Sequence, residues 1–228
     1  MKSLFEVFYQ PGKLFESLPE RRGAWVVPMI AGIIVMVIIT ALTVNLIGMR
    51  EIMRQRLATS NLSPEQLQAA MANADKPVQV YVSYAAAAIA TPLTLLVVAG
   101  VLTAFGMMTS RTPKFGSMLA MVCLSFFPYW LVTGAMAAAI ILATPDRSSL
   151  DVNNIVATNI AAYVDRNTVS KGLYSLLGSL DALSFSLIWL LAYGFAKLTK
   201  ASVFFGLMAI GLLWAFYVIM KMGASLLF

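Results

Sequence analysis

The stretch Gly172 to Ser202, GLYSLLGSLDALSFSLIWLLAYGFAKLTKAS, is an apolar run with one carboxylate near its start and two lysines closing it. Ala182 to Lys197 is 16 residues. At ~1.5 Å per residue that covers about 24 Å, most of a hydrocarbon layer of ~30 Å. The run is therefore predicted to cross a membrane, with Asp181 near one face. A carboxylate just before a helix is favoured by the dipole and can cap the free N–H groups. Lys197 and Lys200 suit the opposite helix end and the phospholipid headgroups.

Composition carries this reading to the whole chain. Its residues are 60% hydrophobic and only 11% charged, and mean hydropathy is +0.83, whereas soluble domains carry about 25% charged residues. The class is an all-α, polytopic transmembrane helical bundle. A net charge of +6 would suit nucleic acid if the basic residues clustered, but they are scattered through the gaps between apolar runs. Anionic lipid headgroups are the expected partner instead, and nucleic acid is not. The single cysteine, Cys123, lies inside an apolar run, so it forms no intrachain disulfide and has no neighbour for a metal site.

Outward from the quoted run, the chain divides into five apolar segments and the polar pieces between them. Residues 1–23 form a cytoplasmic amphipathic N-terminus broken at Pro11 and Gly12, and residues 24–228 form a single five-span domain. In the N-terminal piece Leu4, Phe5 and Phe8 share one helical face and Leu14, Phe15 and Leu18 another. Either these faces lie along a membrane surface, or they cap the bundle. The first span runs uncharged from Ala24 to Met49, too long for a signal-peptide core and with no A-x-A cleavage pattern directly following it.

In the polar segment that follows, Ser63, Pro64 and Gln66 predict a capping box with proline at the first helical position. Leu67, Ala70, Met71 and Ala74 then form one face of a short amphipathic helix. Val78 to Ser110 and Phe115 to about Thr144 are spans two and three, joined by the basic turn at Arg111–Lys114. Pro92 and Pro128 offer kinks within them. The small residues Gly100 with Ala104, and Gly134 with Ala138, are spaced to let helices approach closely.

Pro145 to Lys171 is polar again, and Ile155, Asn159, Ala162 and Tyr163 suggest a surface helix started by Asp151 or Asn153. The quoted run is span four. Span five runs from Ala201 to Met220, with Lys221 near the far interface and an apolar tail, MGASLLF, after it.

Five spans put the two termini on opposite sides. The N-terminal piece, the Arg111–Lys114 turn and Lys197–Lys200 hold half of the basic residues in about half the length that carries the rest. By the positive-inside rule they face the cytoplasm, leaving the two long segments and the C-terminus outside a bacterial-type cytoplasmic membrane.

The chemistry the chain lacks is equally informative. It has no histidine, which excludes H-E-x-x-H zinc sites, Ser-His triads and histidine proton relays. Neither G-x-x-x-x-G-K-[ST] nor G-x-G-x-x-G occurs, and Asp181 is the sole acidic residue of the spans, so paired intramembrane aspartates are missing as well. No enzyme, cofactor or metal is expected. Asp181 reads either as a helix cap or as a carboxylate paired with a basic residue or a bound ion, with Ser184 one turn on sharing that site. Trp189, like Tyr84, Tyr129, Trp130 and Tyr193, suits packing or an interfacial belt as well as a ligand. The candidate binding residues are Asp181, Ser184 and Trp189.

Asp181, Phe185, Ile188 and Trp189 in D-x-x-x-F-x-x-I-W, followed by Gly194 and Lys200-Ala-Ser, resemble the C-terminal half of the bacterial branch of the Yip (Ypt/Rab-interacting) membrane family. The F-x-x-P-G-K-x-F-x-x-L-P pattern from Phe8 to Pro19, with Pro28 beyond it, is similar to that family's entry into span one. The resemblance implies a five-span, non-enzymatic protein that works through membrane partners, in some bacterial members ABC-type exporters. The D-L-Y-G-P motif of eukaryotic members is absent, so Rab binding is not implied. The expected role is an accessory or scaffold subunit of a membrane assembly, its partner another membrane protein, an exporter included, or a second copy. A small permease or channel using the proline-bearing spans and Asp181 is the alternative, and membrane shaping by the N-terminal faces a third.

Overall fold

A computed structural model of the chain describes residues 2–57, 63–74, 76–109, 111–152 and 154–227. Its helices are α1 (Lys2–Tyr9), α2 (Pro11–Ser17), α3 (Val26–Ile47), α4 (Met49–Leu57), α5 (Pro64–Ala74), α6 (Pro77–Gly106), α7 (Phe115–Ala143), α8 (Lys171–Leu177), α9 (Ala182–Thr199) and α10 (Val203–Leu227). Five of these, α3, α6, α7, α9 and α10, are long and apolar enough to cross a membrane. The protein is an all-α polytopic bundle, and no strand occurs among the described residues. Lipid accounts for this, because a membrane supplies no water to satisfy exposed backbone groups and an α-helix satisfies its own.

The bundle is built around α7. Residues 117–125 are all buried, as expected of a helix with apolar or small side chains on every face. α3, α6 and α9 pack along it, and α10 packs on α9. Glycines set the closest approaches. A Cβ on Gly194 would lie 2.6 Å from Met121 Cγ and 3.0 Å from Phe15 Cε2, and one on Gly206 only 2.5 Å from the Ala192 carbonyl oxygen. A side chain at Gly206 would push α10 off the α9 backbone, and one at Gly194 would displace the Met121 and Phe15 side chains.

The N-terminal piece divides between the two roles its sequence allows. Leu14, Phe15 and Leu18 are buried in the core, with Phe15 fully so, and α2 packs on α9. Phe5 and Phe8 are instead 68% and 50% exposed. One short amphipathic helix plugs the bundle, and the other offers aromatic rings to its surroundings.

Several boundaries differ from the sequence reading. The first polar segment opens with a helix, α4, after Gly48 turns the chain at φ +95°, a conformation that favours glycine. The capping box is present: Ser63 N–H donates to Gln66 Oε1 at 3.0 Å and Gln66 N–H to Ser63 Oγ at 3.3 Å. Ala70, Met71 and Ala74 of α5 are at least partly buried, and α5 packs on α4.

The surface helix expected around Ile155–Tyr163 does not form. Short 3₁₀ turns at Ile160–Tyr163 and Arg166–Thr168 take its place. Asn159 caps the first of them, accepting from Ala162 N–H at 3.2 Å, which is the local competition with helix that Asn offers. Asn153, the other expected start, lies outside the described residues. Helix α10 runs on through the apolar tail to Leu227, so Lys221 lies within the helix and not at its end. Pro92 and Pro128 sit inside helices that continue through them.

Replacing Phe15 with Ala is expected to destabilise the bundle by about 3–5 kcal/mol, the usual cost of emptying a buried aromatic site. Phe8→Ser should change it by less than about 1 kcal/mol. Chemical unfolding in detergent measures both, and equal effects would place the two helices in the same environment.

Candidate functional site

Helix α9 follows α8 after the short segment 178–181, and its first N–H groups lack intrahelical partners. Asp181 supplies one. Its Oδ2 accepts from Ser184 N–H and from the Ser184 hydroxyl, both at 2.7 Å. Its Oδ1 accepts from the Thr158 hydroxyl. The backbone joins the same two segments, since Ala182 N–H donates to Thr158 C=O at 3.2 Å and Ile160 N–H to Leu180 C=O at 3.3 Å. Asn159 and Asp181 thereby form an isolated antiparallel bridge. One carboxylate thus closes the helix end and stitches the segment around Thr158 onto it.

Asp181 and Ser184 stand together as the sequence suggested, and Trp189 does not join them. It is 55% exposed on the bundle's surface. Phe185, four residues after Asp181, stacks on Trp214 of α10 with ring centroids 6.0 Å apart. No lysine or arginine pairs with Asp181 among the described residues, and the hydroxyl and amide partners account for both of its oxygens. Trp130 packs against Gly32, a Cβ on which would lie 2.7 Å from the indole. Tyr84 accepts from Asn45 Nδ2 at 3.0 Å, and Tyr193 lies under Lys197 Nζ at 5.5 Å. These aromatics pack and orient.

Comparison of the chain with family models, with curated proteins and with solved structures finds no match.

Asp181 sits in the wall of a groove of about 1020 Å³. Leu93 and Val97 of α6, Tyr129 and Thr133 of α7, and Trp214 of α10 form much of it, so it is mainly apolar with a polar end at Thr158, Asn159 and Asp181. At that end it meets a second, smaller cavity of about 400 Å³, with Asn154, Asn159, Gly178 and Lys221 lining both. Lys221 Nζ donates to Ser179 Oγ at 3.2 Å.

The two long polar segments are tied to one another as well. Gln55 Nε2 donates to Leu150 C=O at 2.9 Å, and Val152 N–H donates to Gln55 Oε1 at 2.8 Å. Arg54, two of whose nitrogens lie 2.8 Å from the Glu51 carboxylate, together with Gln55 holds that carboxyl below the usual carboxylate range. No three His, Cys, Asp or Glu side chains converge as a metal site among the described residues.

The small-residue pairs have opposite fates. Gly134 is buried against Ile39 of α3, with Ala138 half-buried one turn on. Gly100 has no atom within 4 Å of where a Cβ would stand, and it and Ala104 are both exposed on α6.

Sequence reasoning missed Thr158, and it set Lys221 at an interface without a place in the site. For Lys221 a signal existed, as the only charge in a run of apolar residues. Nothing local marks Thr158.

Asp181→Ala removes the cap and leaves Thr158 without its acceptor. It should lower stability by about 2 kcal/mol, roughly half from each. Asp181→Asn keeps a carbonyl acceptor and should cost less than about 1 kcal/mol. Thermal unfolding of the purified variants tests the order, and an equal loss in both would make the charge, not the capping geometry, the essential feature.

Proposed function

We propose that the chain is a non-enzymatic accessory or scaffold subunit of a membrane assembly, belonging to the bacterial branch of the Yip family, with an ABC-type exporter as the kind of partner it serves. The observation that carries this reading is the exposed Gly100–Ala104 face. Of the two glycine-bearing pairs, Gly100–Ala104 and Gly134–Ala138, the chain fills the second itself, with Ile39 against Gly134. The other stands open on the outside of α6 with space at Gly100 for a neighbouring backbone. In lipid, where apolar side chains gain little by leaving the solvent, close backbone approach at small residues is a main source of helix association.

The state of Asp181 supports the same choice over a permease. A carboxylate that carries ions must exchange partners, and this one is saturated by Ser184 and Thr158. Helix α1 adds a contact with lipid, since Phe5, Phe8 and Tyr9 are exposed beside Lys13 and Arg21, as in a helix lying in the interface. The charge bias of the loops orients the protein with α1 and α2 on the cytoplasmic side of a bacterial cytoplasmic membrane and the end of α10 outside.

Crosslinking in native membranes, followed by gentle extraction and mass spectrometry, tests the proposal. A second membrane protein is expected to co-purify in fixed ratio, to be lost with Gly100→Leu and to be retained with Asp181→Asn. Recovery of the chain alone or only with itself, or a complex indifferent to Gly100→Leu, would contradict it.

A further inference from the structure

The 400 Å³ cavity beside the groove is strongly cationic. Arg56, Arg166, Lys171 and Lys221 line it, against the single carboxylate of Asp151. Two of the cations are held in place by other contacts. The Arg166 guanidinium lies 5.3 Å from the centre of the Tyr174 ring, and Lys221 Nζ is fixed on Ser179 Oγ.

Lys221 is half-buried, the sole charge of α10, and no carboxylate pairs with it among the described residues. A cation in a membrane helix without a counter-charge is costly and points to an anion that supplies one. An independent observation points the same way. Ser175, only 9% exposed and lining this cavity, has a hydroxyl with no hydrogen-bond partner among the described residues, and buried hydroxyls are otherwise almost always satisfied.

The cavity adjoins the apolar groove at Lys221, Asn154 and Asn159, which line both. A cationic chamber with an orphan hydroxyl, joined to an apolar groove of about 1020 Å³, has the two halves of an amphiphile's complement.

We propose that this joined cavity binds one anionic phospholipid, with the phosphate between Lys221, Arg166 and the Ser175 hydroxyl and an acyl chain along the groove. Charge complementarity selects an anionic over a zwitterionic headgroup. The phosphate accepts from lysine and arginine, and it can accept from Ser175 as well. The site is separate from the Gly100–Ala104 face and does not depend on the partner proposed above.

Native mass spectrometry of the full chain in mild detergent tests it, with phosphatidylglycerol, phosphatidylcholine and inorganic phosphate as probes. One phosphatidylglycerol should be retained per chain in clear preference to phosphatidylcholine. Lys221→Gln and Arg166→Gln should each weaken retention by roughly tenfold, the scale of a charge-assisted hydrogen bond, while Lys221→Arg and Lys114→Gln should leave it in place. Because the preference is read on the unmodified chain, the test stands even if a variant fails to fold. Equal retention of the two lipids, or retention unchanged by both glutamine variants, would overturn the proposal. So would binding of inorganic phosphate that depends on Lys221 when no phosphatidylglycerol is retained, since the ligand would then be a free anion.

Discussion

Helix α9 carries a charged contact near each end, and at each a segment distant in sequence is brought against the bundle. At its start Asp181 accepts from Ser184 and Thr158. Near its end Lys197 Nζ meets Glu16 Oε1 of α2 at 2.7 Å, and Lys200 turns the chain in the left-handed conformation at φ 57°. At 18 residues the helix is about 27 Å long, close to the hydrocarbon thickness, so neither end has a spare turn with which to reach water. Helix-end groups left bare there would be costly. The carboxylate caps one end, and each of the two charges also meets a segment distant in sequence: the 154–164 connection for Asp181 and α2 for Lys197.

The two ends of the bundle consequently differ. At the end held by Lys197, α2 drives Phe15 against Gly194 and Met121 and the core is solid. At the end held by Asp181 the covering chain is the 154–164 connection, of whose apolar residues only Ala161 is buried, and the groove and the cationic cavity remain between it and the helices. Packing rigidity at one end and open, polar-lined space at the other suit a protein that is anchored through its core and meets ligands or partners elsewhere on its surface.

What the sequence made legible was local or compositional. Long uncharged apolar runs marked all five spans, because few soluble structures could bury them. The Ser63–Gln66 box and the Asp181–Ser184 cap could be read because their partners are three residues apart. Thr158 could not, since it reaches Asp181 across 23 residues from a segment without periodicity. Asn159 was misread as part of a helix because its spacing from Ile155 and Tyr163 fits a helical face, whereas its side chain caps a 3₁₀ turn. The tail after Lys221 was misplaced because a lysine followed by apolar residues resembles an interfacial end, although those residues simply extend α10. The Gly100–Ala104 and Gly134–Ala138 pairs have the same spacing and different surroundings. Spacing shows where a helix can come close, and only the fold shows whether one has.

Asp181 acts as a clamp between α9 and the 154–164 connection. Hydrogen–deuterium exchange of the Asp181→Ala variant against the parent chain tests it directly. Faster exchange is expected across residues 155–164 and in the first turn of α9, with α2 and the last turn of α9 unchanged. If residues 155–164 exchange as slowly without the carboxylate as with it, the connection is held by something else and the clamp is not what organises this end of the bundle.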